Sequence, residues 1–149
     1  MAWTNPRTWN VGELVTKAIM DAHVRDNLSY LKTAVDTLEI KSYPVILNTD
    51  TALVAGNGLI YVPIPASLDG YNLTGAKVFR KSGSGTLSLQ VHNDSDNNDM
   101  LSVNAQPGTP GTVNTAYDDV VEDNILRIDI DSAGTSSLYC SLVLKFGLP

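Results

Sequence analysis

The side chains best suited to bind a cation lie in one short polar segment. Asp94, Asp96 and Asn98 stand at alternate positions there, as the first ligands of an EF-hand calcium loop do. That loop requires a glycine at its sixth position and a glutamate at its twelfth, where this chain has Asp99 and Ala105. The EF-hand motif therefore fails. We expect a solvated turn, because Asn and Asp tolerate left-handed backbone conformations, with a looser calcium site as the alternative.

Other patterns that support catalysis are missing from the sequence. It contains no HExxH or CxxC pair for zinc, no G-x-S-x-G serine elbow and no P-loop. The acidic segment 118–123 does not set the fixed carboxylate separation that glycoside hydrolysis needs. The single cysteine, Cys140, lies in an apolar run without a basic neighbour, so we expect a buried, unreactive thiol. We expect no enzymatic activity and no cofactor.

Composition narrows the classes of partner. The chain of 149 residues is 43% hydrophobic and only 17% charged, and ten basic against sixteen acidic residues give a net charge of −6. Nucleic-acid binding depends on Lys and Arg, and a bilayer crossing needs about 20 apolar residues, so we expect neither nucleic acid nor membrane insertion. The low charge suggests that uncharged polar residues or other subunits cover much of the surface.

The sequence predicts two kinds of structural element, and the first is a helix over residues 16–41. Thr16 is predicted to cap its first turn, and no proline or glycine follows before residue 42. Apolar residues recur in steps of four and three, the a/d spacing of a coiled coil: Val24, Leu28, Leu31, Val35 and Leu38. So narrow a seam predicts self-association with partner helices. The alternative is an amphipathic helix that lies on its own β domain.

From residue 43 onward, turn residues separate short apolar or alternating runs. The candidate strands are 43–48, 59–64, 77–80, 86–92, 100–103, 125–131 and 138–146. Ser82-Gly83-Ser84-Gly85 is predicted to be a flexible hairpin connection. In the alternating run 126–131, Asp129 and Asp131 are predicted on the exposed face, where carboxylates discourage edge pairing.

The expected fold is therefore mainly β. It consists of an antiparallel, jelly-roll-like β-sandwich over residues 43–149, preceded over residues 1–42 by an arm and one amphipathic, coiled-coil-like helix. Tyrosines of the sandwich could stack on sugars, so Tyr61, Tyr71 and Tyr117 are candidate glycan contacts. Packing in the core or between subunits is the alternative for these rings.

Two stretches carry a resemblance to a known class of proteins. The first is R-T-W-N-V-G-E-L-V-T from Arg7 to Thr16, followed by H-V-R-D-N-L from His23. It resembles a short N-terminal module of tailed-bacteriophage virion proteins, in which an R-T-W-x-x-G-E-x-V-T arm leads into a helix ending H-x-R-D-N-L. The second comprises residues 85–93, 99–102, 118–120 and 127–131, and it is similar to β-sandwich domains of phage tail and fibre-like proteins.

The resemblance implies a non-enzymatic structural subunit of a virion, assembled in the cytoplasm of a bacterial host. It would be a decoration or short-fibre subunit on the capsid or tail, and a homotrimer, because such proteins are usually threefold. The arm supplies the virion anchor: Trp3, Pro6, Arg7 and Trp9. The alternative for the arm is that both indoles fold back onto the chain. The alternative function is a receptor-binding module for host-surface glycan.

Overall fold

The computed structural model of the chain describes Gly12 and residues 14–149, and for residues 36–38 it describes the backbone alone. Contacts between residues divide the chain into two units, Met1–Glu39 and Ile40–Pro149. The described part of the first unit is helical, and the second unit is an antiparallel β structure. The predicted fold class, mainly β with one preceding helix, is confirmed. Within the described ranges, no helix combines the length and apolar character that a bilayer crossing requires.

The helix consists of three consecutive segments: α1 (Lys17–Met20), a π-helical turn (Asp21–Arg25) and α2 (Asp26–Leu38). Thr16 caps its start as predicted, because the Thr16 hydroxyl accepts a hydrogen bond from the Ile19 N–H at 3.3 Å. In the π turn, the Asp26 N–H donates to the Asp21 carbonyl, five residues earlier. The π turn was not predicted, because its residues are ones that an α-helix accepts equally well.

Residues 40–149, all of which the structure describes, contain eight strands and one 3-10 turn at Ala66–Leu68. The strands are β1 (Lys41–Ile46), β2 (Gly56–Pro63), β3 (Tyr71–Asn93), β4 (Asn98–Asp99), β5 (Leu101–Val103), β6 (Thr112–Val113), β7 (Asp119–Val120) and β8 (Ile125–Gly147).

The two long strands organise the sheet. β3 and β8, each of 23 residues, pair with each other along nearly their whole length. On the other edge of β8, β2 pairs with its first half and β1 with its second half. The short strands β4 and β7 pair with β3, and β5 and β6 form a separate two-stranded sheet. Each half of the β3–β8 ladder is therefore part of a wider antiparallel sheet.

The predicted hairpin connection at Ser82-Gly83-Ser84-Gly85 is wrong, because the β3–β8 ladder continues through it. Ser82 lies opposite Leu138 and Ser84 opposite Thr135, with register shifts on both sides. Such shifts are β-bulges, which bend a strand without ending it. Four of the predicted short strands are thus halves of two long bent strands.

One apolar core joins the two halves. β3 contributes Leu73 and Val78 from its first half and Leu89 and Val91 from its second, and all four are at most 1% exposed. β8 contributes alternate residues on both sides of its bend: Leu126, Ile128, Ile130, Cys140, Leu142, Leu144 and Phe146. Residues 81–86 of β3 and 134–136 of β8 are exposed, so both strands leave the core where they bend. The sheet curls around this single core.

Candidate functional site

The four predicted seam residues whose side chains the structure describes are all exposed. Leu28 is 60% exposed, Leu31 47%, Val35 52% and Val24 38%. Asn27 is buried at 7% exposure, whereas the polar residues Ser29, Lys32 and Thr33 are exposed like the seam residues. The apolar stripe is not buried, as that of a core-facing helix would be. An apolar row of large side chains is therefore open to another surface.

Val24 is not fully aligned with the rest of this row. It lies in the π turn, whereas Leu28, Leu31 and Val35 lie in the uninterrupted α2. A π turn holds one more residue than an α turn, so a residue within it is offset from the α-helical periodicity. Leu38 continues the row in sequence, but its side chain lies outside the described residues. The continuous described seam is thus Leu28, Leu31 and Val35, which we call the α2 seam.

The predicted virion anchor falls on part of the chain that the structure does not describe. Trp3, Pro6, Arg7 and Trp9 all lie in that part. The anchor stays a prediction from the sequence.

The three candidate glycan contacts occupy different environments. Tyr61 on β2 is 54% exposed and borders a cavity of about 340 Å³ together with Tyr43. Tyr117 is 46% exposed in the turn before β7. Tyr71 is only 7% exposed, and the ammonium of Lys41 lies 4.1 Å from the centroid of its ring. Little of the Tyr71 ring is left for a sugar to contact, so Tyr61 and Tyr117 are the accessible members of the set.

Beside Tyr61 lies an ion-pair cluster that the sequence analysis missed. Arg127, opposite Tyr61 in the β2–β8 ladder, makes two hydrogen bonds to Asp129, from Nε to Oδ1 at 2.8 Å and from Nη2 to Oδ2 at 3.0 Å. Its Nη1 donates to Asp94 at 2.7 Å. The hydrogen bonds to Asp129 raise the pKa of Arg127 above its ordinary value. All three guanidinium nitrogens are engaged, so this cluster holds β8 and the 94–97 turn together.

The predicted exposure of Asp129 is wrong. Asp129 is buried at 4% exposure, whereas Asp131, two residues on, is exposed. Its side chain does point away from the core positions 128 and 130, but the start of β2 covers it, and the Gly58 N–H donates to its Oδ1 at 3.1 Å. Alternation in β8 predicts which side a residue faces, but not that another segment lies over that side.

The Asn/Asp-rich segment is a hairpin turn between β3 and β4. The Asn93 side-chain oxygen accepts hydrogen bonds from the N–H groups of Ser95 and Asp96, and Asn97 has a left-handed backbone with φ of 56°. Its carboxylates have separate partners: Asp94 binds Arg127, Asp96 accepts from Asn93 at 2.7 Å, and Asp99 lies 2.7 Å from His92. Across the described part of the chain, no three His, Cys, Asp or Glu side chains cluster as metal ligands.

Cys140 and the acidic segment 118–123 have structural roles in the β unit. Cys140 is buried at 1% exposure, as predicted, and burial raises the pKa of its thiol. In the acidic segment, Asp118 accepts a hydrogen bond from Asn72 at 3.1 Å, while Asp119, Glu122 and Asp123 are exposed. These positions frame the short β7–β3 pairing.

Comparison with known proteins gives no relative for this chain. No protein-family model, no curated protein and no solved structure matches it.

Proposed function

We propose that this chain is a non-enzymatic structural subunit of a tailed-phage virion, a homotrimeric decoration or short-fibre protein. The α2 seam is the observation that carries the proposal, because three large apolar side chains on one helix face are about half exposed. The R-T-W-x-x-G-E-x-V-T and H-x-R-D-N-L motifs support placing it in a virion. In this role the helix associates with its copies, the arm attaches to the capsid or tail, and the β unit is displayed.

The seam by itself stabilises association only marginally. Full burial of a Leu or Val side chain stabilises by about 1.5–3 kcal/mol, so burying the exposed half of three gives roughly 3 kcal/mol per helix. Association of two chains costs about 4–15 kcal/mol in lost freedom. A two-helix contact through this seam alone is therefore marginal. A trimer buries three seams but loses this freedom twice, so a trimer, like a dimer, also needs contacts from other parts of the chain.

The association is tested by light scattering of the full chain after size exclusion. We expect a mass near three times the 16.0 kDa of one chain. The double variant Leu28→Asp, Leu31→Asp should be monomeric, because it places charge in the seam. The matched control, Ser29→Asp with Thr33→Asp, adds the same charge at exposed positions of α2 and should keep the wild-type mass.

The outcome separates the two interpretations of the helix. If it instead lies on its own β unit, the seam variant keeps the wild-type mass and unfolds at a lower temperature. That result would overturn self-association through α2. The virion assignment has its own test, mass spectrometry of purified particles of the phage that encodes the chain. Absence of its peptides from those particles would refute it.

The host-glycan alternative rests on Tyr61. Its half-exposed ring borders a concave surface, and aromatic rings beside polar groups suit the mixed apolar and hydroxyl surface of a sugar. A glycan array probed with the full chain tests it. Binding that is lost in Tyr61→Ser and kept in Tyr30→Ser, a change in the helix, would favour this alternative.

A further inference from the structure

One face of the curled sheet combines lysines with exposed aromatic rings. It is the outer side of the half formed by β1, the second half of β8 and the first half of β3. Pairing places Val143 opposite Lys77, Ser141 opposite Phe79, and Lys145 opposite Gly75. The intervening residues Ala76, Val78, Leu142 and Leu144 are buried in the core, so these positions face outward. We call the outward set the lysine–aromatic face: Lys77, Phe79, Lys81, Tyr139, Val143 and Lys145.

The charges on this face are all of one sign. Lys77, Lys81 and Lys145 are exposed, and none of them has a carboxylate partner within the residues that the structure describes. The β1 positions on the same side, Ser42, Pro44 and Ile46, are uncharged. In a chain with a net charge of −6, three unpaired ammonium groups on one sheet face form a local positive region.

Aromatic rings separate these charges. The Lys77 ammonium lies 5.0 Å from the centroid of the Phe79 ring, and the Lys81 ammonium lies 5.0 Å from that of Tyr139. Phe79 is 46% exposed and Tyr139 49%. These contacts hold each ammonium near a ring while its N–H donors stay accessible to a ligand.

The face also has a concave part. A cavity of about 230 Å³ is lined by Lys77 and Lys145 together with Thr74, Gly75, Pro110 and Gly111. It forms because residues 107–111 run beside β3, with Gly111 opposite Ala76. At Gly75 an added Cβ would meet only the Lys145 side chain, at 4.0 Å, so the space beside this glycine is open.

We propose that the lysine–aromatic face binds an acidic polysaccharide, a sugar chain that carries carboxylate groups. The ammonium groups pair with the carboxylates, the rings and Val143 contact the apolar faces of the sugars, and the cavity holds one sugar unit. This inference goes beyond the structural role and gives the host-glycan alternative a ligand class and a second site, away from Tyr61.

The spacing of the charges distinguishes this ligand from a nucleic acid. Lys77 and Lys81 are four residues apart on one strand, or about 13 Å. A nucleic-acid strand carries a phosphate about every 3.4 Å along the helix axis, so most of its charges would meet no lysine. A sparsely charged sugar polymer matches the three lysines without leaving such an excess. Weak contacts of this kind are multiplied when several copies are joined.

The test is binding of the full chain to fluorescent hyaluronate oligomers, which carry a carboxylate on every second sugar, and to the same oligomers with methyl-esterified carboxylates. We expect binding to the acid form and at least tenfold weaker binding to the ester. The variant Lys77→Gln, Lys81→Gln, Lys145→Gln should bind the acid at least tenfold more weakly, and Phe79→Thr several-fold more weakly. Lys17→Gln, Arg25→Gln, Lys32→Gln removes the same charge from the helix and should bind as the wild type does.

Four results would overturn the proposal. If the acid and ester forms bind equally, or if the lysine variant binds the acid form as tightly as the wild type does, the lysines do not bind carboxylates. Tighter binding to oligo-thymidylate than to hyaluronate makes the ligand a nucleic acid. A lower mass of the face variant in light scattering makes the face an interface between copies. The α2 seam variant is measured separately, so failure of the self-association proposal is recognised independently.

Discussion

Cys140 is a thiol placed where ionisation is unfavourable. Cys140 lies in the second half of β8 and is 1% exposed. Its backbone N–H donates to the side-chain oxygen of Asn48 at 2.8 Å. Burial raises the pKa of the thiol above its ordinary value of 9.0, because a thiolate is poorly solvated there. A thiol in this position packs as a small apolar side chain.

This burial predicts a pH dependence. Below about pH 9 the thiol is protonated in both the folded and the unfolded chain, so it contributes no slope. Above that pH the unfolded thiol loses its proton while the folded one keeps it, so the free energy of unfolding falls. We expect the melting temperature of Cys140→Ala to change less between pH 8 and 10.5 than that of the wild type. Parallel curves for the two proteins, followed by circular dichroism, would contradict this.

The two long strands are the elements that decide the shape of the β unit. Arg80 holds the bend of β3, since its Nη1 donates to the carbonyls of Ser84 and Gly85 at 3.2 and 3.0 Å. In the bend of β8, next to Thr135, which pairs with Ser84, Gly134 has φ of 63°, a left-handed conformation that glycine adopts without steric cost. A Cβ at Gly134 would lie 2.6 Å from the Ser84 carbonyl oxygen, so the two strands touch at the bend.

Gly134→Ala should therefore be costly. Left-handed backbone costs an alanine about 1–2 kcal/mol, and forcing a methyl group against the Ser84 carbonyl adds about 1–3 kcal/mol. Gly108→Ala is the matched control, because Gly108 also has a positive φ, of 84°, but nothing lies within 4 Å of its added Cβ. We expect a total loss of about 2–5 kcal/mol for Gly134→Ala and about 1–2 kcal/mol for Gly108→Ala in urea unfolding. Equal losses would show that the bend tolerates a side chain.

At the scale of the whole chain, unpaired strand edges need protection. β1 and β2, both fully described, pair on one side with β8 and with no other strand in the described chain. Each carries a proline, Pro44 and Pro63, and proline in an edge strand removes a donor that an incoming strand would use. These prolines limit growth of the sheet by addition of other chains.

Replacing the edge prolines should promote aggregation. We expect Pro44→Val with Pro63→Val to form aggregates at a lower temperature than the wild type, seen as light scattering on heating. The β-branched side chain favours the strand and restores the missing N–H. Pro65→Val, just beyond β2 and exposed, is the control and should aggregate as the wild type does. An unchanged aggregation temperature in the double variant would show that something else protects these edges.

Local signals in the sequence predicted the helix, its cap and the β class. Thr16 and the uninterrupted run after it predicted where the helix begins, and alternation in 86–91 and 126–131 predicted strands with one buried face. These features depend on residues within one turn or one strand, so their pattern is readable without knowing what packs against them. The buried state of Cys140 followed from its apolar neighbours in the same way.

Only the tertiary structure decided how these pieces combine. It made one long strand from two predicted ones across Ser82–Gly85, buried Asp129 beneath the start of β2, and placed Lys145 beside Lys77 on one face. Each case depends on contact between segments tens of residues apart in the chain: β3 with β8, β2 with Asp129, and Lys77 with Lys145. Register and coverage between distant segments are set by the total packing of the core, and no local periodicity encodes them.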